Sequence, residues 1–405
     1  MKNIFLSFQH LLAMFGATVL VPILTNFDPS VALFCAGLGT LIFHLCTKGK
    51  VPVFLGSSFA FIPVVISATQ NANGDIAYAQ GGIVIAGLIY VIMSFIIKFI
   101  GVEKIKRYFP PQITGAMIAV IGLNLIPTAI DMASSNFIVA AITLGVVLCV
   151  NLFCKGFFKQ LSILVGIAVG YAISIFLNQV DLNLITQAAT FQIPKFSFPK
   201  FNLESIIIIA PIVITVFMEH IGDMTTNGAV VGKNFMEDPG LNRTLLGDGL
   251  ATMASGIIGG PANTTYGENT AVLAITKNYN PLLLRIAAIY AIFLSCIGVF
   301  GAFLQSIPSS VMGGVSIMLF SMISYIGVKT IKDSKCLSKN KNNLIVIFSI
   351  VLIGIGTSYM SNKGILIGIP ITDGVSITGL SLAAILGVVI NRIINYKEFK
   401  KVVNN

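Results

Sequence analysis

Three acidic residues lie inside long apolar runs of the sequence, where a carboxylate is costly. Glu219 and Asp223 are four positions apart, and Glu268 closes the polar stretch "GGPANTTYGE" at 259–268. An ionisable side chain at membrane depth costs at least about 2.5 kcal/mol on insertion scales, so it normally faces a cavity or a partner and marks a transport pathway. Asp248 is a fourth acid, which the sequence places nearer the cytoplasmic end of its apolar run.

The spacing of Glu219 and Asp223 predicts one face of a helix, with the two side chains about 6 Å apart. Two carboxylates that close cannot both ionise cheaply in a poorly hydrated site, so the pair can hold a proton near neutral pH. A proton-coupled carrier needs such a group. The alternative is a structural pair that is bonded to helix ends or hydroxyls.

Glu268 follows "TTYG", which favours an extended segment and then a helix that begins at the carboxylate. Free N–H groups and the helix dipole favour negative charge at such an N-terminus, so a simple cap is the alternative. The matching stretch "SSF" at 57–59 predicts a second half-helix N-terminus beside it. Such a site suits a flat ligand with alternating carbonyls and N–H groups. Phe59 and Tyr266 could pack against its ring, although Phe59 could also be a core aromatic.

The composition explains why these polar stretches cannot be surface loops. The 405 residues are 56% hydrophobic and 10% charged, with a mean hydropathy of +0.92, which predicts an all-α polytopic membrane protein. The first apolar run lacks a cleavage site and is predicted to be the first span. With the N-terminus inside, all but three of the 25 basic residues are cytoplasmic, the exceptions being Lys195, Lys200 and Lys363. The net charge of +10 therefore reports a membrane orientation, with both termini cytoplasmic, and not a nucleic-acid partner.

Fourteen membrane segments are predicted, seven in each half. They are 5–25, 30–47, 51–70, 81–102, 108–130, 135–154, 160–178, 205–227, 242–259, 262–278, 281–304, 308–328, 343–361 and 374–395. The third and tenth segments are rich in Gly, Ser, Thr and Pro, and we expect them to contain short antiparallel β-strands at the membrane midplane. Non-helical backbone at that depth is tolerated where it is buried in protein or lines a cavity.

Similar stretches recur in the same order in the two halves. "QHLLAMFGATVLVP" at 9–22 matches "EHIGDMTTNGAVVG" at 219–232, and "SSF" matches "TTY" at 264–266. Because each half holds an odd number of segments, a duplication gives a 7+7 inverted repeat, the architecture of secondary transporters. Chance likeness between apolar helices is the alternative. His10 lies at the position that matches His220. It could donate to Glu268 or to another carboxylate of the site, or it could be a packing histidine.

Other functional classes lack support in the sequence. Gly49-Lys50 is followed by Val and Gly232-Lys233 by Asn, so neither site is a P-loop. The six cysteines show no metal or redox spacing. We therefore predict neither an enzyme nor a cofactor nor a metal site.

The motifs together resemble the nucleobase:cation symporter-2 family, also called nucleobase–ascorbate transporters, over essentially the whole chain. The family signature is matched from Glu268 to Ala271 and at Thr276 and Lys277. Ala271 replaces the usual Gly of that signature.

The resemblance implies a fold of two domains that move against each other. A core domain comprises residues 1–105 and 204–305, and a gate domain comprises 106–203 and 306–405. It also implies proton symport, a homodimer joined through the gate domains, and a multi-pass location in the bacterial cell membrane.

The resemblance also implies the roles of individual residues. The residues implied to bind substrate are Glu268, Glu219, Phe59, Gly267, Tyr266 and Ser58. Those implied to couple protons are Glu219, Asp223, Glu268 and His10. Asn269 and Thr265 are implied to support the site.

The implied function is proton-coupled uracil import by alternating access. Asp223 stands where uracil-transporting members carry His, which favours the alternative of xanthine or uric acid. Glu268, where purine-transporting members more often carry Gln, favours uracil. A third alternative is an anion carrier or channel of the same fold, but a carboxylate at the half-helix end disfavours anions.

Overall fold

The computed structural model describes residues 2–363, 365, 367–372 and 375–395. Within them the chain is mostly helical, as the long apolar runs predict. The helices of the first half are α1 (Lys2–Thr25), α2 (Pro29–Cys46), α3 (Ile62–Asn71), α4 (Ile76–Ile100), α5 (Val102–Tyr108), α6 (Pro111–Ser134), α7 (Phe137–Phe153), α8 (Phe157–Gln160), α9 (Ser162–Phe176) and α10 (Asn183–Thr186).

The second half also combines long helices with short, interrupted ones. Its helices are α11 (Leu203–Ile209), α12 (Ile212–Val231), α13 (Leu241–Ile258), α14 (Gly267–Thr276), α15 (Leu282–Ser295), α16 (Gly298–Gln305), α17 (Ser309–Asp333), α18 (Cys336–Lys339), α19 (Asn343–Asn362) and α20 (Gly379–Ile394). The described residues also form four short strands, namely β1 (Leu55–Ser57), β2 (Asn263–Thr265), β3 (Ile369–Thr372) and β4 (Val375–Ile377).

Seven helices of the described residues are long and apolar enough to cross a bilayer, when α11 and α12 are taken as one. They are α1, α2, α4, α6, α11 with α12, α17 and α19. The pair α15 and α16 is an eighth candidate, bent by 84°. The protein is therefore a multi-pass membrane protein. All fourteen predicted segments overlap helices, but the others are short or interrupted, so fourteen crossings and their inverted order stay predictions.

Two segment predictions are wrong in detail. The predicted helix 281–304 breaks between Ser295 and Gly298, where the Cys296 carbonyl accepts a hydrogen bond of 2.9 Å from the Gln192 N–H. An outside group that bonds into a helix ladder kinks the helix. The segment predicted at 374–395 is helical only from Gly379, because 375–377 form β4 and pair with β3. Residue 374 and the predicted cytoplasmic C-terminus, with residues 396–405, lie outside the described residues.

The connection between the two halves is attached to α4. Lys200 Nζ lies 2.8 Å from a carboxylate oxygen of Asp75, the residue that caps α4, and the Lys200 N–H donates to the Ala77 carbonyl. The hydrogen bond from Lys200 lowers the pKa of Asp75 below its usual value, with a smaller effect from the Ala77 N–H. The segment that leads into the second half is therefore attached to the first half at the start of α4.

Helix packing follows the correspondence between the halves that the repeated motifs predict. In that correspondence α2 matches α13, and α4 matches α15 and α16. The extensive α4–α13 contact then has a counterpart in the α2–α15 contact, and the α7–α9 contact has one in α19–α20. Helices α1 to α4 pack mainly with α11 to α16, whereas α6, α7, α9, α17, α19 and α20 pack mainly with one another.

Two glycines allow α4 and α13 to approach closely. A Cβ on Gly87 would lie 2.7 Å from the Gly249 carbonyl oxygen, and a Cβ on Gly249 would lie 3.0 Å from the Gly87 oxygen. Small residues at helix crossings permit this approach in membrane proteins. Asp248 and the residues beside it on α13 are held in place by this contact.

We expect Gly87→Ala to lower the free energy of unfolding by about 1–3 kcal/mol, because the added methyl group overpacks the crossing. Thermal unfolding of detergent-solubilised protein measures the effect. Gly145→Ala on α7 is the matched control, since a Cβ there meets no atom within 4 Å. Equal stability of the two variants would contradict the close-approach role of Gly87.

Candidate functional site

The two polar stretches of the sequence meet in the structure as a pair of buried strands. β1 and β2 are antiparallel, with Leu55 opposite Thr265 and Ser57 opposite Asn263. Hydrogen bonds from the Ser58 N–H to the Ala262 carbonyl, 2.8 Å, and from the Tyr266 N–H to the Phe54 carbonyl, 3.0 Å, extend the pairing. Gly, Ser, Thr and Pro interrupt both helices here, and each strand satisfies the backbone groups of the other.

Each strand leads directly into a helix. Ser58 precedes a short 3₁₀ turn, Phe59–Phe61, which continues into α3. After β2, Tyr266 is extended and α14 begins at Gly267, so Glu268 lies in its first turn. The N–H groups of a first turn have no acceptor within their own helix. The two half-helices thus present donors and a carboxylate beside the strand pair.

The rings of Phe59 and Tyr266 are parallel. Their centroids are 6.5 Å apart and their planes differ by 5°. The Tyr266 hydroxyl donates to the Ser57 carbonyl, 2.9 Å, which fixes the ring against β1. Phe320 of α17 contacts Phe59 edge-on, with 5.8 Å between centroids. Helices of both packing groups therefore contribute aromatic rings at this point.

The predicted acidic pair lies on α12, one turn apart. Asp223 accepts a hydrogen bond of 2.6 Å from the Thr265 hydroxyl, which joins α12 to β2. Glu219 Oε2 is buried and has no hydrogen-bond partner within the described part of the chain. Glu219 also lies within electrostatic range of Asp223, Asp248 and Glu268. Four carboxylates therefore lie near one another, and Asp223 joins them to the strand pair.

His10 contacts Asn269 and not Glu268. The Asn269 side-chain amide donates to the His10 carbonyl, 2.9 Å, and its nitrogen lies 3.4 Å from His10 Nδ1. Because that amide nitrogen can only donate, Nδ1 accepts and Nε2 carries the proton. Nε2 is buried and has no partner among the residues that the structure describes. Among the described residues His10 therefore makes no direct bond to Glu268, which the sequence suggested as one possibility.

Sequence reasoning missed two polar contacts behind the site. Asp248, expected near a cytoplasmic end, is 2% exposed, and its Oδ2 lies 2.8 Å from His220 Nδ1. The Asn227 side-chain amide donates to the Thr270 hydroxyl, 3.0 Å, and to the Pro52 carbonyl. For Asp248 the sequence contained one indication of a buried polar contact, since a carboxylate in an apolar run needs a partner. Asn227 carried none, because its partners come from other segments.

Together these groups can bind a flat, polar, uncharged molecule. Two parallel rings supply apolar faces, the half-helix ends supply N–H donors, and Glu219 and Glu268 supply acceptors. The buried Oγ of Ser58 has no hydrogen-bond partner within the described residues and adds a hydroxyl. Buried polar atoms are almost always hydrogen-bonded in proteins, so a ligand that supplied a donor to Glu219 or a partner to Ser58 would satisfy these two atoms.

The sequence has clear relatives among transporters. A family model described as "Permease family" matches residues 1–363. The chain is 41% identical over 404 residues to the uracil permease of Bacillus caldolyticus, which covers 96% of this chain and 91% of that protein. It is 38% identical over 403 residues to a probable uracil permease of Haemophilus influenzae, which covers 97% of this chain and 94% of that protein.

A solved structure shares the fold. The transmembrane domain of the cyanobacterial bicarbonate transporter BicA aligns with a TM-score of 0.65 over 89% of this chain and 97% of that chain, at 14% identity. At that identity the likeness concerns the fold and carries no information on the substrate.

We expect Tyr266→Phe to lower the free energy of unfolding by about 1 kcal/mol, because it removes the hydrogen bond to the Ser57 carbonyl and keeps the ring. Thermal unfolding in detergent checks this. Tyr325→Phe is the control, since Tyr325 lies on α17 with 65% of its surface exposed. A Tyr266→Phe protein as stable as the control would show that the hydroxyl does not hold the strand pair together.

Proposed function

Because the chain belongs to the nucleobase:cation symporter-2 family, we propose that it is a proton-coupled uracil importer. The observation that carries the proposal is the parallel pair Phe59 and Tyr266 beside the carboxylate of Glu268. The names of the relatives support uracil as the substrate. The following steps argue the binding mode from the geometry.

The spacing of the aromatic pair suits one planar ring. Carbon atoms in contact are about 3.5 Å apart at the least, so a ring held between two others needs about 7 Å. The ring centroids of Phe59 and Tyr266 are 6.5 Å apart, about half an ångström less than that spacing, so we propose that the two side chains move apart slightly when a ring binds between them. Stacking of a base on an aromatic side chain contributes about 1–3 kcal/mol.

The polar groups match the edges of uracil, which carries two carbonyls and two N–H groups. Glu268 accepts one ring N–H, and Glu219 accepts on the opposite side. The first-turn N–H groups of Phe59 and Gly267 meet the carbonyls. The Ser58 N–H already bonds to the Ala262 carbonyl, so the donor on that side is Phe59. A purine differs in where its donors and acceptors lie, so this set of groups favours a pyrimidine.

Proton coupling resides in Glu219, Asp223, Glu268 and His10. Carboxylates one turn apart cannot all be ionised in a site that excludes water. A proton that enters with the substrate removes this repulsion, and its release in the cytoplasm restores it. Binding of the substrate and of the proton are therefore linked, which lets a proton gradient drive accumulation.

Movement between two groups of helices gives alternating access. The core domain, residues 1–105 and 204–305, carries the strand pair. The gate domain, 106–203 and 306–405, meets it at the Phe59–Phe320 contact. We further propose fourteen spans in two inverted repeats with the strands at the midplane, a dimer through the gate domains, and cytoplasmic termini in the bacterial cell membrane.

Two alternatives to uracil import, purine transport and anion transport, depend on the residues at positions 223 and 268. Asp223 favours a purine such as xanthine, because uracil-transporting members of the family carry His at that position. A bicarbonate transporter shares the fold, which makes an anion carrier the second alternative. Glu268, however, repels an anion from the half-helix end that would otherwise attract it. The carboxylate therefore disfavours an anion carrier.

We expect Glu268→Gln to weaken uracil binding by about 10- to 100-fold, the size of one hydrogen bond to a charged group. Equilibrium binding to purified protein measures the loss, and an unchanged thermal unfolding curve shows that the fold is retained. Glu237→Gln, an exposed carboxylate outside the site, is the control. Tight uracil binding by Glu268→Gln would contradict the role of Glu268.

Uptake into liposomes distinguishes the substrates and the coupling. We expect labelled uracil to accumulate faster when the outside is more acidic, and accumulation to vanish when a protonophore collapses the gradient. Xanthine in excess should leave the rate unchanged. Inhibition by xanthine would favour the purine alternative, whereas uptake that ignores the gradient would indicate a channel.

A further inference from the structure

A cavity of about 220 Å³ lies beside the bend between α15 and α16. Its walls are the N-terminus of α2, helix α16, and the segment that runs from α10 to residue 195. Many of the side chains that line it are polar, and the proposed binding mode uses none of them. They include Asp28, Ser30, Gln187, Gln192, Lys195 and Gln305. We refer to this space as the α16 cavity.

The α16 cavity lies at the depth of the lipid headgroups. Asp28 caps the N-terminus of α2, and α2 is long and apolar enough to cross the bilayer, so Asp28 lies where a crossing helix ends. Helix α16 is bent by 84° from α15, so it lies nearly parallel to the membrane surface when α15 crosses the bilayer. Helices in that plane are typical of the boundary between headgroups and acyl chains.

The rim of the cavity is apolar. Leu184 and Ile193 line it and are 45% and 65% exposed, and Phe191, two residues before Ile193, is 68% exposed. Phe293 on α15, close to the bend, is 65% exposed. Burial of such side chains against acyl chains removes apolar surface from water. A polar cavity with an apolar rim therefore fits a ligand that has a polar head and an apolar tail.

Asp28 has one carboxylate oxygen available to a ligand. Its Oδ1 accepts hydrogen bonds of 2.7 Å from the Ser30 N–H and 3.3 Å from the Val31 N–H. Its Oδ2 accepts none within the described part of the chain. Because Asp28 already occupies this helix end and is itself negative, the helix end does not attract an anion. A cationic group with N–H donors is the partner that Asp28 Oδ2 favours.

Lys195 gives the cavity a positive charge. It is one of three basic residues that the sequence places outside the cytoplasm. The other two have partners in the protein, since Lys200 pairs with Asp75 and Lys363 lies over the Tyr359 ring at 4.7 Å from its centroid. Lys195 is exposed and makes no ion pair with any residue that the structure describes. An anionic group of a ligand is the partner that it lacks.

We infer that the α16 cavity binds the headgroup of phosphatidylethanolamine. Lys195 pairs with the phosphate, Asp28 accepts from the ammonium, and the acyl chains lie over Leu184, Ile193 and Phe191. Water occupies about 30 Å³ per molecule, so the 220 Å³ cavity holds roughly seven groups of that size, close to a phosphoethanolamine group. Phosphatidylcholine carries no N–H on its ammonium, and phosphatidylglycerol carries no cation, so neither matches Asp28 as well.

A single introduced tryptophan tests the lipid contact, because the chain contains none. Ile193→Trp places it at the rim of the cavity, and brominated acyl chains quench its fluorescence on contact. Brominated phosphatidylethanolamine is titrated into phosphatidylcholine bilayers that contain the protein. We expect it to bind about tenfold more tightly than brominated phosphatidylcholine, the size of one hydrogen bond between charged groups.

Leu88→Trp is the matched control, since Leu88 lies near the middle of α4 and is 40% exposed. This tryptophan should be quenched equally by both lipids. Equal quenching of Ile193→Trp by both lipids would overturn the proposal. So would a lack of quenching by either, which would mean that protein and not lipid covers the rim.

Asp28→Asn, made in the Ile193→Trp protein, tests the ammonium contact. Asparagine caps a helix about as well as aspartate, so the unfolding curve should be unchanged. The charge is lost, and we expect the tenfold preference for phosphatidylethanolamine to disappear. A preference that survives would refute the assignment of the ammonium to Asp28.

Lys195→Gln tests the phosphate contact, and thermal unfolding in detergent measures it. Added phosphatidylethanolamine should raise the unfolding temperature of the unsubstituted protein and raise that of Lys195→Gln less. Lys363→Gln, with the same loss of charge on the same predicted side, should keep the full shift. An undiminished shift in Lys195→Gln would refute the role of Lys195.

Soluble phosphoethanolamine distinguishes a lipid from a water-soluble ligand with the same head. At the same concentration it should give no shift in unfolding temperature, because it has no chains to cover the apolar rim. A shift equal to that of the lipid would assign the cavity to a soluble ligand and overturn the proposal. None of these measurements depends on the proposed transport function.

Discussion

The structure depends on one constraint, that backbone polar groups in an apolar surrounding must find partners inside the protein. Two segments break their helices beside Ser57 and Thr265, and each break is tolerated because the other lies opposite it. The antiparallel pairing of β1 and β2 therefore requires the two halves of the chain to meet. It also exposes half-helix ends, the source of N–H donors that a ligand can use. Recognition of a polar ligand thus arises from the same pairing that makes the breaks possible.

The carboxylates around the strand pair show how acidic groups are kept in such a place. Asp223 accepts from the Thr265 hydroxyl, and Asp248 is matched by His220. Glu219 keeps one oxygen without a partner in the described chain. A buried charge that is paired is compensated where it lies, whereas an unpaired one favours any ligand that supplies a donor or a proton.

Much of the fold and part of the site follow from the sequence, for physical reasons. Apolar runs and their Gly-, Ser-, Thr- and Pro-rich interruptions are local signals, and they predicted the helices, the strand stretches and Glu219 beside Asp223. The kink near Cys296 depends on Gln192, which is distant in sequence, so no local pattern indicates it. The same holds for Asp248: its burial is set by His220 on another helix. Periodicity within one segment can be recognised in the sequence, whereas contacts between distant segments can be identified only in the folded chain.

The pairing of β1 with β2 also has a consequence for how the protein is made. Leu55 is opposite Thr265, so the partner of the first strand is synthesised only after half the chain has followed. Until then the backbone N–H and C=O groups of β1 lack their strand partner. Contacts this distant in sequence also form slowly. A fragment that ends before β2 therefore lacks the partner of β1, and the strand pair can form only after β2, in the second half, has been synthesised.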